Sequence, residues 1–257
     1  IALAVAAIPE GLPAAVTIVL AIGVARMARR HAIVRRLPAV ETLGSTSVIC
    51  TDKTGTLTEN QMTVQRLFAA GRWFAVSGGG YAPSGDVRAE DGGEVPEPVS
   101  ELLRAGVLCN DSTLVETDGR WQVHGDPTEG ALLVVARKAG FDEGTLQKLF
   151  PRLDEIPFDS ARQYMATLHD IEGVRLAYYK GALEQLLPQS RSMLDADGRA
   201  VAVRKKEIEF AARSMAEAGL RVLAVARIAG GSARVLDPGA PEGLEFIGLV
   251  GMVDPPR

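Results

Sequence analysis

The sequence predicts an α/β chain in three parts: an apolar helix, the opening of a parallel sheet, and an inserted α+β domain built on an antiparallel sheet. Three observations predict it. Residues 1–25 form an apolar run whose only charge is Glu10. The β-branched run Ser47-Val48-Ile49-Cys50-Thr51 ends on a Thr- and Gly-rich turn that begins with Asp52. A long stretch of mixed helix and strand signals then separates that run from another β run at Glu245–Val253, as an insertion between two strands of one sheet would. With 257 residues, 47% of them hydrophobic, the chain can bury a sizeable core, which excludes the disordered and fibrous classes. The formal charge of -4 sets up no global basic field, so no nucleic-acid partner is expected. Cys50 and Cys109 are too few for a disulfide framework and suit a reducing compartment.

Taken in order, residues 1–30 form the first part. About 20 apolar residues span a bilayer core as a helix, so this run is expected to be transmembrane and the lipid bilayer a partner. A signal peptide is the rival reading, weakened by Glu10, by Pro9 and Pro13, and by the lack of a basic stretch ahead of the run. Arg26, Arg29, Arg30, Arg35 and Arg36 place the helix's C-terminal end, and everything after about residue 28, in the cytoplasm. The chain begins inside an apolar run with Ile rather than Met, and a truncated fragment of a longer multi-pass protein is expected.

Residues 31–64 read as a Pro38 turn, a short helix Val40–Gly44, the buried strand Ser47–Thr51 and the Asp52 turn. Residues 65–243 form the insertion. Two strands fit between Met62 and Val76, and Ser77–Pro98 reads as a surface loop whose Gly78-Gly79-Gly80 is a turn rather than a phosphate loop. Helices are expected at Val99–Leu108 and Pro127–Ala139, the second opened by Asp126 as cap, Pro127 at the first position and Glu129 at the third. Leu153–Phe158, Tyr164–His169 and Val174–Tyr179 fit an antiparallel set, followed by a short helix Ala182–Leu187. Arg204–Ala218 is an amphipathic helix closed by Gly219, and Arg221–Ile228 and Leu244–Val250 are strands. Residues 244–257 are expected to return to the first sheet.

Asp52 stands just past the carboxyl end of a predicted strand, where open parallel sheets place ligands, among small residues that let a phosphate approach backbone amides. A carboxylate there can attack a terminal phosphoryl group in line and form an aspartyl-phosphate. Mg2+ would be held by Asp52 and a backbone oxygen near Thr54, while Lys53 and the hydroxyls of Thr54 and Thr56 counter phosphoryl charge. A bare D-x-x-G is equally an Asp-initiated turn. The whole run Asp52-Lys53-Thr54-Gly55-Thr56-Leu57-Thr58, however, resembles the phosphorylation signature of the P-type ATPases. The resemblance extends over most of the chain, from the fourth transmembrane helix of that family to its hinge at Asp254-Pro255-Pro256-Arg257. It implies a haloacid-dehalogenase-like (Rossmann-like) phosphorylation domain, present in part, into which a nucleotide-binding domain is inserted. A soluble phosphohydrolase of the haloacid-dehalogenase type with a large cap is the alternative. Such enzymes usually carry a second Asp where Thr54 stands, and the apolar run argues against a soluble enzyme.

In Ile8-Pro9-Glu10-Gly11-Leu12-Pro13 the prolines free carbonyls one turn earlier and expose Glu10 beside bare oxygens, the ligands of a hard cation. The rival is an interfacial Glu. The motif resembles the calcium-pump branch, which implies Glu10 and the carbonyls of Val5, Ala6 and Ile8 as ligands of a transported cation, Ca2+ or Mn2+.

No Walker-type run is present. Phe158-Asp159-Ser160-Ala161-Arg162 and Lys180-Gly181-Ala182-Leu183-Glu184 look like the adenosine motifs of the family. By that resemblance ATP is the nucleotide, Phe158 stacks on adenine, Lys180 and Gly181 line the pocket base, Glu129 meets the adenine edge and Arg221 reaches the phosphates. Each has a plainer reading: Phe158 as core, Glu129 as a helix cap, Lys180 as a solvated strand end, Arg221 as a surface charge. Gln163 and Leu183 depart from the family's usual Lys and Pro, which removes one phosphate contact and one loop constraint. The family's later Mg2+-binding Gly-Asp-Gly motif and phosphoryl-site Lys lie in the remainder of the pump polypeptide, so this chain alone is expected to bind ATP without turnover. His31, His124 and His169 have no metal-ligand spacing and are read as structural, as Cys50 is read as core.

Overall fold

A computed structural model describes residues 11–53, 55–171, 173–231, 235–237, 239, 241 and 243–256. They fall into two compact units, Ile1–Asp52 and Lys53–Arg257.

In the first unit, helix α1 (Leu12–Ala28) carries Pro13 as its second residue, where the missing N–H is no loss in a first turn, and α2 (Pro38–Gly44) starts on Pro38 in the same way. Gly23 of α1 admits Val40 of α2, since a Cβ at Gly23 would lie 3.3 Å from the valine Cγ1. At 1.5 Å per residue the 17 residues of α1 extend about 26 Å. Among the described residues no helix is long and apolar enough to cross a membrane. The expected span therefore is not seen there, and Val5, Ala6, Ile8 and Glu10 lie outside the described residues.

Ser47–Thr51 is not a strand. The run is irregular and exposed, with Val48 at 74% and Ile49 at 83%, and Cys50 is exposed rather than core. A strand persists only where its N–H and C=O groups have a ladder, and no described strand pairs with this run. β-branching alone does not supply one.

The second unit is an α+β domain around a ten-stranded sheet. Its strands are β1 (Thr63–Ala69), β2 (Arg72–Val76), β3 (Val87–Ala89), β6 (Arg152–Asp159), β7 (Tyr164–Ile171), β8 (Val174–Gly181), β9 (Ser190–Leu194), β10 (Ala200–Ala202), β11 (Arg221–Gly231) and β12 (Leu244–Val253). A separate hairpin, β4 (Thr113–Thr117) and β5 (Arg120–His124), completes the set. The path runs β3-β2-β1-β12-β11-β8-β7-β6, all antiparallel, and β9 joins β12 in parallel. The last strand departs from expectation. β12 lies between β1 and β11 at the sheet's centre, with Val64 opposite Met252 and Leu223 opposite Val250, rather than returning to another sheet. Its near-continuous burial explains the position, because a strand covered on both faces carries apolar residues without alternation.

Helices cover both faces. On one, α3 (Glu97–Leu108), α4 (Pro127–Lys138) and α5 (Glu143–Leu149) pack Leu102, Leu132 and Leu146 against Leu67, Met165 and Val250. On the other, α6 (Leu183–Gln189) and α7 (Lys205–Glu217) pack Leu186, Ile208 and Met215 against Ala166, Ala224 and Leu249. Gly219, with φ +78°, ends α7 as expected. β3–β5, α5, β9 and β10 were not foreseen, and β3 falls inside the stretch read as a loop.

Candidate functional site

The local chemistry of α4 assembles the first part of the site. Asp126 is its N-cap, and its Oδ1 accepts from the N–H of Thr128 at 2.7 Å and of Glu129 at 3.3 Å. With the cap supplied by Asp126, the Glu129 carboxylate turns elsewhere. It accepts from Lys180 Nζ at 2.8 Å, from the Asp111 N–H at 3.0 Å and from Ser112 Oγ at 3.2 Å. Lys180, near the end of β8, also donates to the Cys109 carbonyl at 2.6 Å and is 6% exposed. It is neither a solvated strand end nor an unpaired buried charge.

The carbonyl that receives Lys180 is itself fixed. Asn110 Nδ2 donates to the carbonyls of Gly106 at 2.9 Å and Glu129 at 3.0 Å, while Asn110 Oδ1 accepts from the Ser112 N–H at 2.9 Å. Arg152 of β6 donates to the Asn110 carbonyl at 2.6 Å and to Asp111 Oδ1 at 2.6 Å. Asn110, Ser112 and Arg152 escaped the sequence reading, although a polar Asn-Asp-Ser directly after an apolar helix was the available signal. Cys109 below them is fully buried, and burial pushes its thiol up from the usual value. His169 is buried as well, held by Phe150 O at 3.0 Å and Thr167 Oγ1 at 2.9 Å, and desolvation lowers its pKa from the ordinary histidine value.

Gly181 follows Lys180 and faces Tyr164 across the ladder. A Cβ there would fall 2.4 Å from the Gln163 carbonyl and 2.5 Å from Tyr164 Cβ, so close backbone approach requires glycine. Gln163 itself has φ +58°, and its carbonyl accepts from the Ala182 N–H at 2.9 Å. Phe158 lies on β6, two strands from Lys180 in the order β6-β7-β8, and is 62% exposed. It is not core.

Arg221 opens β11 and is exposed. It lines a cavity of about 260 Å3 with Lys53, Asn60, Asp254 and the first turn of α4, Asp126 to Thr128. One wall is tied down by Asp254, which accepts from Thr58 Oγ1 at 2.5 Å and from the Gln61 N–H at 3.1 Å. Thr58 is buried, and the end of the Asp52–Thr58 run is thereby fastened to the segment after β12. Asp52 is exposed in the first unit. Thr54 lies outside the described residues. Gly78-Gly79-Gly80 is an irregular loop rather than a regular turn, and the carbonyls of Ser77 and Gly78 accept from Lys138 Nζ at 2.7 and 2.9 Å; a cradle for phosphate would present N–H groups instead.

The structure thus brings Lys180 and Glu129 into direct contact, sets Arg221 and Lys53 on one cavity, and leaves Phe158 exposed on β6, two strands from Lys180. A larger cavity of about 520 Å3 between α6 and α7 is lined by none of these residues.

Residues 98–257 match the family profile of the P-type ATPase cytoplasmic domain N. The chain is 55% identical over 267 residues to the cation-transporting ATPase pma1 of Synechocystis, a match covering 100% of this chain and 29% of that protein. It is 43% identical over 266 residues to the calcium-transporting ATPase of Bacillus subtilis, covering 100% of this chain and 30% of the relative. To the calcium-transporting ATPase type 2C member 1 of Bos taurus it is 40% identical over 270 residues, covering 100% and 26%. The chain spans less than a third of the length of these relatives. A profile match over more than half of its residues, on a sheet-and-helix domain of this kind, makes the chain a member of the P-type ATPase family.

Proposed function

We propose that this chain is the nucleotide-binding and phosphoryl-accepting part of an ATP-driven cation pump, with Ca2+ the transported ion. The observation that carries the reading is the Lys180–Glu129 pair, a lysine seated almost fully buried on a carboxylate and a carbonyl within the very motif that resembles an adenosine site. A buried lysine held by a carboxylate and a carbonyl gives a pocket a fixed base. Phe158 supports the reading because an exposed aromatic with no core role is free to stack on a base. Adenine lies on Phe158 with its edge at Glu129, Lys180 and Gly181 form the floor, and Arg221 meets the phosphates.

In the transfer, an Asp52 carboxylate oxygen attacks the γ-phosphorus, the bond from that phosphorus to the bridging oxygen breaks, and ADP leaves with the electron pair. Lys53 and the Thr54 hydroxyl counter the charge that spreads over the phosphoryl oxygens. Mg2+ takes one or two carboxylates and fills its sphere with phosphate oxygens and water, so a set of Asp52 and the Thr54 backbone oxygen suits it. When bound, it would neutralise phosphate charge.

Ca2+ rather than another cation is favoured by Ile8-Pro9-Glu10-Gly11-Leu12-Pro13 and by the names of the Bacillus and bovine relatives; Mn2+ is the nearest competitor. Glu10 with the carbonyls of Val5, Ala6 and Ile8 would hold it within the membrane, residues after about 28 being cytoplasmic. Residues 1–30 and 31–64 belong to the membrane helix and the phosphorylation domain, and residues 65–243 to the nucleotide domain, whose sheet also takes β12. The rest of the pump polypeptide completes the phosphoryl site.

The full-length parent given radiolabelled ATP and Ca2+ should yield an acid-stable, hydroxylamine-sensitive phosphoprotein, and Asp52→Asn should abolish the label. Labelling of that variant refutes the assignment. The 257-residue chain should bind ATP without hydrolysing it.

A further inference from the structure

Between Leu12 and Val40 the only ionisable side chains are His31 and five arginines: Arg26, Arg29, Arg30, Arg35 and Arg36. All five arginines are exposed. Among the described residues none of them forms an ion pair, in contrast to Arg66, Arg72, Arg104, Arg152 and Arg227, each of which is matched to a carboxylate. The cluster closes a helix without a buried residue, whose Leu12, Val16, Ile18, Val19 and Ile22 are 46–67% exposed. The charge is local, because the whole chain carries -4.

An apolar segment followed directly by a polybasic patch is a two-signal membrane anchor, the apolar part burying hydrocarbon and the basic part meeting headgroup phosphates. Arginine suits the second task, since its guanidinium forks onto phosphate oxygens in pairs. A nucleic acid would use the phosphate contacts but leave the apolar helix bare, so the two features together favour a lipid surface. We propose that Arg26, Arg29, Arg30, Arg35 and Arg36 form a binding site for the headgroups of anionic phospholipids, which holds the helix end at a negatively charged leaflet. The inference rests on the membrane placement proposed above and adds a lipid class to it.

The test is flotation of the 257-residue chain with vesicles of phosphatidylcholine alone and of phosphatidylcholine with a third phosphatidylserine. The chain should bind both, and much more tightly to the anionic ones. Each arginine at the surface is worth roughly fivefold. Arg29→Gln with Arg30→Gln, and separately Arg35→Gln with Arg36→Gln, should each lower anionic-vesicle affinity about 25-fold and leave neutral-vesicle binding unchanged. Arg29→Lys with Arg30→Lys should retain most of the preference, and 0.5 M NaCl should erase it through screening. Equal binding to both vesicles, or a preference that survives loss of all five charges, overturns this inference and leaves the pump reading intact. Binding to neither vesicle overturns the membrane placement as well.

Discussion

Removing Glu129 should destabilise the second unit more than removing Lys180, and the structure fixes the order. With Glu129→Leu, the Lys180 ammonium stays 6% exposed and keeps only the Cys109 carbonyl. The Asp111 N–H and Ser112 hydroxyl lose their acceptor at the same time. Breaking a buried pair by deleting one ion is worth about 3–5 kcal/mol. With Lys180→Met, the Glu129 carboxylate, 14% exposed, retains two donors, Asp111 N–H and Ser112 Oγ. The loss should then be the charge-assisted bond to Glu129, about 1.5–3 kcal/mol, plus about 1–3 kcal/mol for the Cys109 carbonyl left without its donor, still below the Glu129→Leu loss once the Asp111 and Ser112 donors orphaned there are added. Replacing both residues removes the charge left behind, so the double variant should lose less than the sum of the singles, with a coupling of at least about 1 kcal/mol. Urea unfolding followed through Trp73 and Trp121, both in this unit, measures all four corners of the cycle. Lys180→Met proving as damaging as Glu129→Leu, or a coupling near zero, would show that the pair does not hold the pocket floor as described.

Three further outcomes are expected. Phe158→Ala, at a position 62% exposed, should change stability by less than about 0.5 kcal/mol yet weaken ATP binding by about 1–3 kcal/mol in a calorimetric titration, and a variant that binds ATP normally would remove Phe158 from the site. Gly181→Ala should lower the urea midpoint, by about 1–3 kcal/mol of overpacking, since its Cβ must displace the Gln163 carbonyl. His169, whose folded pKa lies below its unfolded one, takes up a proton in the unfolded chain first as pH falls through about 6.5, so acid should reduce stability by up to about 1.4 kcal/mol per pH unit until the folded group titrates. Unfolding curves at pH 7.5 and 5.5 should show this loss, and His169→Gln should flatten it.

Local signals were readable where one residue dictates geometry. Asp126-Pro127 announced the start of α4, and Gly219 the end of α7, because a cap and a positive φ need particular residue types. The Asp118-Gly119 turn joining β4 to β5, with φ +52° and +71°, carried the same kind of hairpin signal and was passed over. What the sequence could not carry is pairing. Ser47–Thr51 and β12 look alike as apolar β runs, yet one has no described partner and the other has three. Strand identity is a property of the ladder, and ladders join residues as distant as Val64 and Met252. For the same reason the motifs named Lys180 and Glu129 separately, while their contact across 51 positions, and the Asn110–Ser112 turn that fixes it, emerged only from the fold.

Burial of charge does not by itself mark the pair proposed as functional. Glu101 is buried more deeply than Glu129, at 2%, and is ringed by Arg104, by Arg227 Nη1 at 2.6 Å and by the Tyr178 hydroxyl at 3.1 Å. Arg227 continues to Glu245 at 2.9 Å, so the network ties α3 to β8, β11 and β12, and burial together with the Glu101 charge pushes the Tyr178 hydroxyl's pKa well up. Each polar group there is consumed by another element of the same core, and the result is a clamp between helix and sheet. Lys180 and Glu129 are satisfied too, but their surroundings differ. Glu129 sits in the first turn of α4, whose Asp126 to Thr128 line an open cavity with the cations Arg221 and Lys53, and Lys180 lies near the end of β8, two strands from the exposed Phe158 of β6. The cavity lined by the first turn of its own helix is what separates Glu129 from Glu101 and what supports the site proposed for it.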